Sequence, residues 1–271
     1  MDPSVQPSCF KLPESFFYPL VALSQILVVT ALVLCGYWTG HILGGFAWDG
    51  SHMEFNLHPL LMVLGMIFFY GDAILMFRIF SKENKMVVKI MHMLLQILAL
   101  LCSAVGLKAV FRYHSTKSIP NMYSMHSWIG LPTFLMFGLQ FIFGFVTFLF
   151  PRLREGYRTV YMPVHRYFGV AIFAMAVAAV ISGINEKQFF VYNGANNGTE
   201  YKDLPGEAYV ANFLGIAVMG FALTVGFLVT YASYQREDDV EWEKLPLTAH
   251  AQAEMRQFSS MDEGEAVIEQ K

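Results

Sequence analysis

The chain has 271 residues, 55% hydrophobic and 14% charged, with a formal net charge of −3 and a mean hydropathy of +0.45. Soluble domains carry about 25% charged residues, so this composition argues for a polytopic membrane protein, and so small a net charge implies no nucleic-acid partner. Cys9, Cys35 and Cys102 are far apart and form no CxxC pair, which leaves no disulfide framework; phosphate-loop, HExxH and GxSxG motifs are absent.

Six apolar runs reach the roughly 20 residues that a helix needs to cross the hydrocarbon. The first, Phe16 to Tyr37, is too long for a signal-peptide core and lacks a basic flank and a small-x-small site, so it is read as a retained span. A loop free of Lys and Arg, Gly36 to Glu54, leads to the second, Phe55 to Phe77, which holds His58 near its start and Asp72 near its far end. The third, Met86 to Val110, holds His92. The fourth, Met122 to Phe150, holds His126 and Gln140. The fifth, Val160 to Ile184, holds His165, and the sixth is Tyr209 to Tyr231. Runs this long and continuous are not barrel strands. The predicted fold class is all-α, with six transmembrane helices. The predicted organisation is a short N-terminal segment, 1–15, a membrane domain, 16–232, and an acidic tail, 233–271, whose composition predicts disorder.

Charge sets the orientation, because cytosolic loops carry the excess of Lys and Arg. The loop after the second run has Arg78, Lys82, Lys85 and Lys89; the loop after the fourth has Arg152, Arg154 and Arg158, with Arg166 just beyond. Even-numbered loops and both termini are therefore expected in the cytosol. The sequon Asn197-Gly198-Thr199 falls in the fifth loop, on the other side, where Asn197 is a glycosylation acceptor. "EWEKLPL" from Glu241 fits an acidic dileucine signal poorly. Secretory vesicle, endolysosomal membrane and plasma membrane all remain compatible, and all share this orientation.

The four intramembrane histidines lie about one turn inside the second to fifth runs, each near the start of its helix. Successive helices alternate in direction, so His58 and His126 fall near the outer face and His92 and His165 near the cytosolic face. Ionisable groups within the membrane are rare and usually functional. Three roles compete. A proton relay calls for acidic companions, and only Asp72 qualifies. A zinc site needs more ligands than two imidazoles per level. Two facing imidazoles without a thiolate match the axial ligands of a b-type haem, whose porphyrin supplies the other four nitrogens. The 25 Phe and 13 Tyr would supply apolar walls. Axial methionine is an alternative among 16 scattered Met.

Five stretches together are family-specific: "WDGSHMEFNLHPLLMVLG" from Trp48, "AILMFRIFSKENKMVVKIMH" from Ala73, "NMYSMHSWIG" from Asn121, "RTVYMPVHRYFG" from Arg158 and "GINEK" from Gly183. In order and spacing, over about residues 15 to 232, the chain resembles the cytochrome b561 family of ascorbate-dependent transmembrane oxidoreductases. The resemblance implies a four-helix core, helices two to five, flanked by the first and last. It implies two haem b groups per chain, one held by His92 and His165 and one by His58 and His126, and a homodimer. Cytosolic ascorbate would be the donor; monodehydroascorbate or ferric iron would be the acceptor on the lumenal or extracellular side.

An anionic donor calls for a basic site. Lys85 and Lys89 precede His92 by seven and three residues, and Arg158 precedes His165 by seven, with Arg78 across the loop. The resemblance implies that Lys85, Lys89 and Arg158 bind ascorbate. It also implies an acceptor-site role for His114, with Asn121, Tyr123 and Trp128 around it. Asn56 and Gln140 are candidates for hydrogen bonds beside the two haems, or else for bonds to another helix. Glu186 and Lys187, in "GINEK", have no role that the sequence supplies. The rival class is a proton-coupled transporter with a histidine relay, which would be colourless and would need helices broken near the midplane. Gly65, Gly71, Gly106, Gly138 and Gly144 are available for breaks, but the runs are long and uninterrupted.

Overall fold

The computed structural model describes residues 13–194 and 198–234. Asn197, the residues before 13 and the tail beyond 234 lie outside them. Six helices among the described residues are long and apolar enough to cross a membrane: α1 (Phe17–Ile42), α2 (His52–Ile79), α3 (Lys85–Lys117), α4 (Met125–Phe148), α5 (Glu155–Val191) and α6 (Gly206–Thr230). The fold is all-α, and the protein is an integral membrane protein.

Several helices run past the apolar stretches that predicted them. α5 has 37 residues, or about 55 Å at 1.5 Å per residue, against a hydrocarbon core of about 30 Å. Hydropathy marks only the lipid-embedded part of such a helix; polar residues that also favour helix continue it into water. α3 likewise carries Arg112 to Lys117 before Ser118 ends it in a left-handed conformation. α4 is the exception. It begins at Met125 because Ser124 caps it, with Ser124 Oγ and Ser127 Oγ each accepting the other residue's backbone N–H.

The helices associate in pairs: α1 along α6, α2 along α3 and α4 along α5, with α2 also against α5. On α1 the buried residues form a regular stripe, Ser24, Val28, Ala31 and Cys35, and on α6 a β-carbon at Gly220 would meet Leu27 of α1 at 3.3 Å. Between α2 and α3 small residues do the work. A β-carbon on Gly65 would stand 2.9 Å from the Ala99 carbonyl oxygen, so only glycine permits this approach. The backbone of α2 widens to a π-helical stretch there, Val63–Phe69. Outward stripes such as Leu135, Leu139, Ile142 and Val146 on α4 are exposed, as lipid-facing residues are.

The loop between α1 and α2 is fastened by two buried polar side chains. The Asn56 amide donates to the carbonyls of Leu43 and Gly45 at 2.8 and 2.9 Å. Glu54, fully buried, accepts from the Gly50 N–H and pairs with Arg112 of α3 at 3.3 Å. Arg112 also stacks over Trp48. Arg112→Ala would leave the Glu54 carboxylate buried without its cation, and a loss of about 1–3 kcal/mol of stability is expected. The half-exposed guanidinium keeps the figure in this range. Thermal unfolding in detergent would show it, and Glu54→Gln should remove most of the effect in the double variant.

Candidate functional site

Two cavities lie between the α2–α3 pair and the α4–α5 pair. The upper one, about 330 Å³, is at the end where α2 and α4 begin; the lower one, about 570 Å³, is at the end where α3 and α5 begin. His58 and His126 face each other across the upper cavity with ring centroids 5.9 Å apart and planes at 81°. His92 and His165 face each other across the lower one at 6.4 Å and 69°.

The backbone orients three of these rings. His58 Nδ1 lies 3.2 Å from the Gly106 carbonyl, His92 Nδ1 2.7 Å from that of Ala73, and His126 Nδ1 2.8 Å from that of Ala179. With Nδ1–H donating to a carbonyl, the lone pair is on Nε2, the arrangement of a metal-ligating imidazole. His165 differs: its buried Nδ1 has no hydrogen-bond partner among the described residues. Its ring is held instead by Phe148 and Tyr161, at 5.2 and 5.9 Å, and its backbone carbonyl accepts from the Gln140 amide at 2.7 Å. Two glycines make room. A β-carbon on Gly183 would lie 2.7 Å from His126 Cε1, and one on Gly144 would lie 2.8 Å from His165 Cε1. No sequence signal marked either gap, because glycine inside a helix normally only weakens it.

The basic residues Arg78, Lys85 and Lys89 line the lower cavity, as does Gln140. Lys89 reaches the Phe148 carbonyl at 3.4 Å, and the Arg78 guanidinium donates to the carbonyl of Val229. Arg158 lies two turns before His165 on α5 but is not among the lining residues. At the upper cavity His114, Asn121 and Tyr123 converge. His114 Nδ1 lies 3.1 Å from Asn121 Oδ1, and its ring stacks on Tyr123 at 6.3 Å. Burial, and then the neighbouring Glu186 carboxylate, push the Tyr123 phenol above its ordinary pKa. Trp128 is exposed, donates to the Met122 carbonyl and is not itself a lining residue of the cavity, and the Asn56 amide N–H groups are tied to the first loop. Neither reaches the space that the sequence suggested for it.

The description of the eukaryotic cytochrome b561 family matches residues 57–191. The transmembrane ascorbate-dependent reductase CYB561 of Ovis aries is 39% identical over 246 residues, 91% of this chain and 92% of that protein. The lysosomal membrane ascorbate-dependent ferrireductase CYB561A3 of Mus musculus is 40% identical over 227 residues, 83% of this chain and 93% of its own. The chain belongs to the cytochrome b561 family.

Cytochrome b561 implies haem b, and the residues fit it. In each pair the two imidazoles face each other with ring centroids 5.9 and 6.4 Å apart, so the pair could hold one metal ion between them. Three Nδ1 atoms are already committed, so the metal-facing nitrogen is defined. Among the described residues no three His, Cys, Asp or Glu side chains converge, so neither pair extends to the donor set of a structural zinc.

Proposed function

We propose that this cytochrome b561 carries electrons one at a time across the membrane, from ascorbate at the lower cavity to an acceptor at the upper one. The observation that carries the reading is the stacking of two facing histidine pairs at opposite ends of one four-helix core. Haem b, bound once by His58 and His126 and once by His92 and His165, supplies the one-electron carrier at each level. The protein's own part is to hold four imidazoles, exclude water with Phe55, Phe77, Phe148 and their neighbours, and recognise the two substrates.

Ascorbate monoanion gives up one electron and one proton to become the monodehydroascorbate radical anion. Lys85, Lys89 and Arg78 at the lower cavity attract the anion, and Arg158 extends this basic surface along α5. At the upper cavity the acceptor radical takes up one electron and one proton, beside His114, Asn121 and Tyr123. The Lys and Arg balance of the loops supports a cytosolic lower end and cytosolic termini, and the family supports a homodimer. Ferric iron is the second reading of the acceptor. The juxtaposed imidazole of His114 and carboxamide of Asn121 offer nitrogen and oxygen donors suited to iron, and the mouse ferrireductase is as similar to this chain as the sheep reductase. A histidine-relay transporter has less support: Asp72 accepts from Gln25 of α1 at 2.9 Å and lines neither cavity.

The test uses purified protein in liposomes loaded with ascorbate, with the acceptor outside. A reduced-minus-oxidised b-type spectrum with two haems per chain, and acceptor reduction that depends on internal ascorbate, are expected. A folded, colourless protein would sink the reading. In the same assay Lys85→Gln and Lys89→Gln should each raise the KM for ascorbate about tenfold, the loss of one charge-assisted contact, with the haem spectra unchanged.

A further inference from the structure

The upper cavity contains a cation that the reading above does not use. Glu186 and Lys187, near the end of α5, both line it together with His114, Asn121 and Tyr123. Their charges are disposed differently. The Glu186 carboxylate stands near the Tyr123 phenol. Lys187, half-buried, holds its Nζ 4.2 Å from the centroid of the Phe55 ring. Among the described residues that ring is its only partner.

An ammonium has three donors, and a ring face satisfies only one side of it. Moving the group from water into a cavity wall costs free energy that the ring offsets only in part. Lysine near a helix C-terminus is favourable, but a lysine turned to solvent gains the same, so the helix end does not explain the turn toward the cavity. The location is also specific. Phe55 lies one turn before His58, and its ring packs against His58 at 6.1 Å and Tyr113 at 5.3 Å. The ammonium therefore stands near His58 of the upper pair, on the wall of the cavity that His114 and Asn121 also line.

We infer that Lys187 is the oxyanion anchor of the upper cavity and makes this end of the protein selective for anions. The group it holds is a carboxylate or enolate oxygen. Two sources have that chemistry: an anionic one-electron acceptor such as the monodehydroascorbate radical, and a propionate of a bound haem. This inference rests on the electron-transfer reading.

The experiment compares wild type, Lys187→Gln and Lys187→Arg in ascorbate-loaded liposomes. The acceptors are monodehydroascorbate and ferricyanide, both anions, and hexaammineruthenium(III), a cation. The midpoint potentials and spectra of both haems are recorded alongside. If Lys187 anchors the acceptor, Lys187→Gln raises the KM for both anions at least about tenfold, leaves kcat and the spectra unchanged, and does not raise the KM for the cation. Lys187→Arg restores the wild-type KM. If it anchors a propionate, the potential and spectrum of the His58–His126 haem shift in Lys187→Gln, and the acceptor KM values change together or not at all. An unchanged KM for anions with unchanged potentials would overturn the inference, as would equal increases for anions and cation at unchanged potentials. A wild type without haem or without ascorbate-driven reduction would instead overturn the electron-transfer reading.

Discussion

Replacing His126 by leucine is expected to lower the haem content of the purified protein from two per chain to one and to abolish transmembrane reduction of an outside acceptor. Leucine keeps the volume and apolarity of the site, so the helix should still insert and pack. It removes the nitrogen that faces His58 across 5.9 Å. The remaining haem, at His92 and His165, should still be reduced by ascorbate, because its basic approach is intact. His92→Leu or His165→Leu should give the reciprocal result: one haem left at the upper end, and no rapid reduction by ascorbate. Haem quantification and reduced-minus-oxidised spectra decide the matter. Two intact haems in any of these variants would remove that histidine from the ligand set.

The second large effect is expected where no ligand is altered. Gly183→Ala would place a β-carbon 2.7 Å from His126 Cε1, closer than carbon atoms approach without one of them moving. The imidazole must turn away, and in doing so it gives up the Ala179 carbonyl and its alignment with His58. Loss of the upper haem, or a markedly weakened one, is the expected result. Gly144→Ala should do the same to the lower haem through His165, at 2.8 Å. Gly138, on the same helix as Gly144, is the control, since nothing lies within 4 Å of an added β-carbon there. Gly138→Ala should be neutral, or stabilising by up to about 1 kcal/mol through helix propensity. Spectra of the three variants side by side would separate a steric effect at the ligands from a general cost of losing helical glycine. Equal haem content in all three would show that the histidine rings have room to spare.

Much of this protein is legible without coordinates. Lipid demands that backbone groups be satisfied within each span, so long apolar runs can only be helices, and their number followed from hydropathy. The alternation of helix direction then assigned each histidine to one end of the bundle. Helix ends were less legible. His92 and His165 were placed about one turn inside, whereas α3 begins seven residues before His92 and α5 ten residues before His165. In α5 the added turn, Glu155 to Thr159, is polar and helical, a combination to which a hydropathy run is blind, whereas α3 begins one residue before its apolar run.

The candidate sites divide along the same line. Residues that approach a histidine along their own helix, Lys85 and Lys89 before His92, were visible as charges at helical spacing, whereas the candidacy of His114 came from the family resemblance. Residues that depend on a second helix were not visible. Asn56 and Trp128 looked equally suitable by position, yet one donates to the carbonyls of Leu43 and Gly45 and the other turns outward to Met122. The carbonyls of Ala73, Gly106 and Ala179 carry no side-chain signature at all.

The sequence by itself determined the membrane class, the six helices and the placing of four histidines as two pairs near opposite ends of the bundle, because the hydrophobic effect and the cost of unpaired polar groups act on each segment alone. Only the tertiary structure decided which backbone carbonyl orients each imidazole, which glycines leave room for His126 and His165, and that Lys187 turns into the upper cavity. Each of those facts depends on how close two helices come, and that distance is set by side chains far apart in the chain.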